Sequence, residues 1–149
     1  MRLLTFCLCV LVLVSAQAAG PEYGAVQISQ VNSVYDGDTF RVTIAGWPSI
    51  VGENIPVRVA GIDTPEIRGK CLREKELARK AKAFVRNRLA QAHTIELRNI
   101  RRGKYFRLVA NVYVDGQDLT QMLISQGLGV PYDGGHKSVN WCIQANPAY

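Results

Sequence analysis

LREKELARKAKAFVRNRLAQ, residues Leu72–Gln91, decides how the rest of this chain is read. Leu77, Ala81, Phe84, Val85 and Leu89 recur at steps of three and four, so they share one stripe of a helix. Arg73, Lys75, Arg79, Lys80, Lys82, Arg86 and Arg88 occupy much of the remaining surface. On both sides of this segment the hydrophobic period drops from that of a helix to that of a strand.

Upstream, Ala25 to Val31 alternates weakly. Thr39 to Ala45 alternates well, with Phe40, Val42 and Ile44 on one face and Arg41 and Thr43 on the other. Asp36-Gly37 between them is a turn signal. Gly46 to Asn54 reads as a loop. Ile55, Val57 and Val59 then form an apolar face, with Arg58 opposite. Downstream, Thr94 to Leu97 reads as a short strand and Asn99 to Gly103 as a basic turn. Tyr105 to Val114 places Phe106, Leu108, Ala110, Val112 and Val114 on one face. Asp118 to Gln126 suits a short helix, capped near Asp118 and stopped by Gly127. The order is three strands, a helix, two strands and a helix, an α+β chain that is mainly β. Short twisted strands close into small barrels. A five-stranded barrel with a helix between strands 3 and 4 and a second short helix after strand 5 is the OB type, which commonly binds nucleic acid.

The bulk numbers agree with one domain. The chain has 149 residues, 48% of them hydrophobic, and carries a formal charge of +6. That charge favours a polyanionic partner, either nucleic acid or a membrane surface, although small secreted proteins are often basic without specific cause. The N-terminus reads as an export signal: Arg2, then an apolar run from Leu3 to Val14, then Ala-x-Ala spacing ending at Ala18. The division expected is residues 1–18 as signal, containing Cys7 and Cys9, and 19–149 as the mature domain. The product is then periplasmic or secreted, with no stable membrane association, because the apolar run is too short for a comfortable span. Export to an oxidising compartment favours a disulfide between the remaining cysteines, Cys71 and Cys142, over two separate buried thiols. Closing so long a loop adds about 4 kcal/mol on the chain-entropy view.

Two acidic pieces and two arginines lie at the edges of the alternating runs. Asp38 shares the strand parity of Phe40, so its carboxylate turns toward the barrel mouth. Asp63 closes the third strand. Carboxylates on neighbouring strand ends, with a backbone carbonyl, can hold a hard cation. Taken alone, Asp36-Gly37-Asp38 also fits a plain hairpin turn, and Asp63-Thr64-Pro65-Glu66 also fits a helix-capping box. No helix follows Glu66 at once, however, which leaves it on a loop. Arg58 and Arg107 also fit a solvated outer face, as Arg41 and Arg98 do. Their guanidinium groups equally match phosphate oxygens with paired hydrogen bonds.

Val34-Tyr35-Asp36-Gly37-Asp38-Thr39, Val57-Arg58-Val59-Ala60-Gly61-Ile62-Asp63-Thr64-Pro65-Glu66 and Lys104-Tyr105-Phe106-Arg107 occur in an order and spacing that resemble the staphylococcal nuclease (thermonuclease) family. Val112 to Gly116 and Ser125 to Gly129 extend the match over roughly Ala25 to Gly129. The resemblance implies an exported bacterial homologue and calcium-dependent hydrolysis of DNA and RNA to 3′-phosphate products. It makes Asp38, Asp63 and the Thr64 carbonyl the calcium ligands, with Asp36 behind them. It makes Arg58 and Arg107 the phosphate pair and Glu66 the base for water. Lys104, Tyr105 and Tyr132 become candidates for substrate contact. A monomer acting on single-stranded substrate is the expected working form. The tail from Val130 departs from the pattern, and the third helix looks shortened or absent over Ser138 to Tyr149. The alternative is an inactive OB barrel that only binds nucleic acid, but such a copy should lack Arg58, Glu66 or Arg107. His93 and His136 match no metal-ligand spacing and read as ordinary surface or packing residues.

Overall fold

A computed structural model describes residues 21–137 and 139–143. The expected signal segment 1–18, with Cys7 and Cys9, lies outside them, as do 138 and 144–149 of the tail.

The sheet closes through one bent strand. β1 (Val26–Gln27) pairs antiparallel with β6 (Ile95–Arg102) at one end of the sheet, and β2 (Gln30–Val34) pairs with β3 (Thr39–Thr43) at the other. The two residues between β1 and β2 bond to opposite ends: Ile28 N–H donates to Ile95 O at 3.0 Å, and Ser29 N–H to Thr43 O at 2.9 Å. The strand order β1-β6-β7-β4-β3-β2, with β4 at Ile55–Val59 and β7 at Leu108–Val114, is therefore a curled sheet joined by its own first segment. Counting β1 and β2 as one bent strand gives five, as expected for the OB type.

α1 (Ser49–Gly52) is a single turn inside the segment expected to be a loop. α2 spans Leu72–Gln91, the bounds read from the sequence, and α3 spans Leu119–Ser125. Asp118 caps α3 by accepting from Thr120 N–H at 2.7 Å, and Gly127, at φ 64°, follows its end. Short pieces complete the fold: β5 (Ile62–Asp63) pairs with β9 (Val130–Pro131), and β8 (Gln117–Asp118) with β7.

Burial follows the alternation. Phe40, Val42, Val57, Val59, Leu97, Ala110 and Val112 line the barrel interior, closed by Ala81, Val85 and Leu89 of α2 and by Leu119 and Leu123 of α3. The buried stripe of α2 runs through Ala78, whereas Leu77 and Phe84 are only half-buried. Small residues face the barrel because the helix lies close to the β2–β3 turn.

Three readings are corrected. Asn99–Gly103 is no turn; β6 runs to Arg102, with Asn99 at φ 52° and a register slip between Arg98 and Arg101. The turn comes later, closed by Gly103 N–H to Arg107 O at 2.7 Å. Tyr105 and Phe106 sit in it at φ 56° and 61°, so neither belongs to β7, and Phe106 leaves the core for solvent, where the Arg102 guanidinium covers its ring at 4.5 Å. Asp63 lies not at the end of the third long strand but on the separate β5.

Candidate active site

The carboxylates gather where the β2–β3 turn meets β5. Tyr35 and Asp36 N–H both reach Thr39 O, at 2.9 and 3.3 Å, and Asp38 N–H donates to Asp36 Oδ1 at 3.3 Å. A Cβ on Gly37 would lie 2.8 Å from Ala81 Cβ and 3.0 Å from Thr64 Cβ. Only glycine lets α2 and the Thr64 segment press onto this turn.

Asp38 and Asp63 are each 2% exposed. Asp38 Oδ2 accepts from the Thr64 N–H at 3.3 Å and its hydroxyl at 3.0 Å, while Oδ1 accepts from the Thr39 hydroxyl at 3.0 Å and pairs with Arg58 Nη1. Arg58 Nη2 faces Asp63 Oδ1 at 3.9 Å and donates to Ile62 O at 3.2 Å. Arg58 therefore stands between the two carboxylates. Asp63 Oδ1 is buried and accepts no well-formed hydrogen bond. Burial, reinforced by the charge of Asp38, pushes the Asp36 carboxyl up from 3.8 to about 7. The corner thus packs three carboxyl groups into buried space around one arginine. The donors are oxygens only, the chemistry that suits a hard divalent cation. Cys71, Glu74 and Cys142 also come within 4.8 Å of one another, but the disulfide uses both sulfurs.

Arg107 lies at the end of the β6–β7 turn, one residue before β7. β4 and β7 run parallel, with Val57 opposite Leu108 and Arg58 opposite Val109. The pairing brings Arg107, just before β7, to the same side of the sheet as Arg58. Both line a cleft of about 340 Å³ together with Arg101, Lys104 and Tyr132. Arg107 Nε is buried and has no hydrogen-bond partner among the described residues, so it is a donor with nothing yet to bind.

Glu66 lies on the irregular segment between β5 and α2, as its lack of a following helix implied. Its Oε1 is 2.6 Å from Lys137 Nζ, which is also 2.9 Å from Asp63 Oδ1. Partial burial disfavours this ammonium, but the hydrogen bond it donates to Glu66 and its attraction to the Asp63 carboxylate outweigh that and hold its pKa above the ordinary lysine value. The expected Cys71–Cys142 disulfide is formed, with the two Cα atoms 5.9 Å apart.

The structure thus brings Asp36, Asp38, Asp63, Thr64, Arg58 and Glu66 together, and joins Arg58 to Arg107, Lys104 and Tyr132 through the cleft. Tyr105 stands apart at the turn tip, 91% exposed. Arg101 and Lys137 were not singled out from the sequence. Arg101 sat within a supposed turn. Lys137 sits in an aperiodic Gly-rich tail, where spacing carries no signal.

A family model described as "Staphylococcal nuclease homologue" matches residues 56–141. The chain belongs to the staphylococcal nuclease family. Its relatives include a "Probable endonuclease LCL3" of Podospora anserina, 30% identical over 70% of this chain and 45% of that protein. A "Probable endonuclease" of Schizosaccharomyces pombe is 31% identical over 70% of this chain and 55% of its own length. The LCL3 protein of Colletotrichum graminicola is 31% identical over 76% and 48%. The chain spans about half the length of these relatives, and they are fungal, where a bacterial kinship was expected. Among the described residues of this family member, no helix is long and apolar enough to cross a membrane.

Proposed function

We propose that this chain is a nuclease that hydrolyses phosphodiester bonds of DNA and RNA with the help of calcium, leaving 3′-phosphate ends. The observation that carries this reading is the shared cleft lined by Arg58 and Arg107, which Arg58 connects to a buried carboxylate corner. Asp38, Asp63 and the Thr64 carbonyl would hold the calcium, with Asp36 behind them. When bound, calcium supplies Lewis-acid charge at a phosphate oxygen.

The chain's own groups supply the rest. Arg107 and Arg58 each offer planar paired donors to the phosphate oxygens. A phosphate entering the cleft competes with Asp38 for Arg58, and the orphaned Arg107 Nε gains an acceptor. Both guanidiniums then stabilise the negative charge that builds on phosphorus in the transition state. The Glu66 carboxylate accepts a proton from the attacking water, which displaces the 5′ oxygen opposite it. Lys104, Arg101 and Tyr132 extend the cleft along the strand, and the exposed Tyr105 ring offers a base a stacking surface. An open cleft of this size favours single-stranded substrate. The disulfide fits export to the periplasm or beyond, and the protein acts as a monomer. Arg58, Glu66 and Arg107 are all present, which separates this chain from a barrel that merely binds.

Incubation with plasmid and RNA, in calcium and in chelator, followed by analysis of product ends, tests the reading. Cleavage to 3′-phosphates that stops on chelation is expected. No cleavage, or cleavage indifferent to chelation, defeats it.

A further inference from the structure

We propose that Lys137 is a positioning residue for Glu66, held in place by the Cys71–Cys142 disulfide. The proposal rests on the nuclease reading and adds to it a residue from the C-terminal tail.

Glu66 needs such a partner. Its side chain is 56% exposed on an irregular segment, and a free glutamate there samples many rotamers. A general base works only when held within reach of the proton it removes. Among the described residues, the interaction that holds the Glu66 carboxylate is the one with Lys137 Nζ at 2.6 Å. The same nitrogen lies 2.9 Å from Asp63 Oδ1, so one ammonium sets Glu66 against the carboxylate corner.

The chain around this contact forms a ring. From the disulfide, one arm runs back from Cys71 to Glu66 and the other back from Cys142 to Lys137. The ion pair closes the far end. The described residues of both arms lack helix and strand, so covalent closure is what keeps them side by side. Cys71 is also the N-cap of α2, its sulfur accepting from Glu74 N–H at 3.4 Å, which ties the ring to the longest helix. The buried Trp141 anchors the tail beside Cys142.

The test compares Lys137→Met, Lys137→Arg, Cys142→Ser and the Lys137→Met/Cys142→Ser double variant, each first shown by circular dichroism to melt cooperatively. Cleavage in calcium should show kcat down roughly tenfold in Lys137→Met, part of the 10²–10⁴ a positioned base contributes, with KM near the parent value. Lys137→Arg should recover most of the loss, and the double variant should be no slower than the slower single one. A parental kcat in Lys137→Met, or losses that add in the double variant, overturns the proposal.

A second measurement needs no activity. Acetylation with an N-hydroxysuccinimide ester, read by mass spectrometry, should modify Lys137 several-fold more slowly than Lys80 of the exposed helix face. Glu66→Gln and Cys142→Ser should each abolish that protection. Equal labelling in all three proteins overturns the proposal. Protection in a parent protein that cuts no nucleic acid establishes the contact and overturns the nuclease reading instead.

Discussion

Asp38, just before β3, and Asp63, on β5, are almost fully buried, whereas Glu66 and Lys137 ride irregular segments and keep about half their side-chain surface in water. The two halves meet at one atom, Asp63 Oδ1, beside which both Arg58 and Lys137 stand. The first half is fixed by ladder hydrogen bonds and by the close packing at Gly37. The second is fixed by an ion pair and a covalent staple. Charge is thus set by the rigid fold, while the proposed proton acceptor, Glu66, rides the stapled segment. Surface ion pairs contribute little to stability, so damage to the second half should show in turnover before it shows in melting.

The largest effect expected on the rigid half is Phe40→Ala. It removes a fully buried ring two residues from Asp38 and should cost about 3–5 kcal/mol in denaturant unfolding. A loss below that range would mean the corner is held by its polar bonds alone. Next is Arg107→Ala. By analogy with loss of one preorganised charge donor, it should lower kcat about 10²–10³-fold while leaving the melting temperature nearly unchanged. A rate close to the parent's would remove Arg107 from the phosphate pair. Tyr105→Ala, at the exposed tip, should weaken single-strand binding by about 1–3 kcal/mol, seen in KM rather than in stability. An unchanged KM would make this turn a bystander.

The smallest and most diagnostic effect is on pH. In chelator, the Asp36 carboxyl titrates near 7 in the folded protein against 3.8 unfolded, mainly through burial and then through Asp38. The folded state therefore binds this proton more tightly. The stability it contributes is present below the unfolded value and is lost as pH rises through about 7. Melting temperature should fall over that window, and Asp36→Asn should flatten the fall. A parent protein whose melting curve is flat from pH 4 to 8 would contradict the buried charge described for the corner.

Much of this was legible because local pattern and tertiary demand coincide. α2 has the bounds its stripe implied, and Asp38 turns inward because it keeps step with Phe40 and Val42. The readings failed where a bulge or a left-handed residue changes the count. Asn99 at φ 52° lets β6 continue through polar residues that resemble a turn. Tyr105 and Phe106 imitate alternation while lying in the next turn. Lys137 was illegible for another reason: its place is set by the disulfide partner of Cys142, far away in sequence, and not by its neighbours. The parallel pairing of β4 with β7 is likewise invisible to local pattern.

That pairing has a consequence for when the two arginines first come together. Arg58 lies on β4 and Arg107 just before β7, and their parallel pairing spans the whole of α2 and β6 in sequence. Non-local contacts of this kind form late, after loop entropy has been overcome. An unfolded chain presents two isolated cations and no clamp. On the nuclease proposed above, grip on a phosphate would come only with the folded sheet.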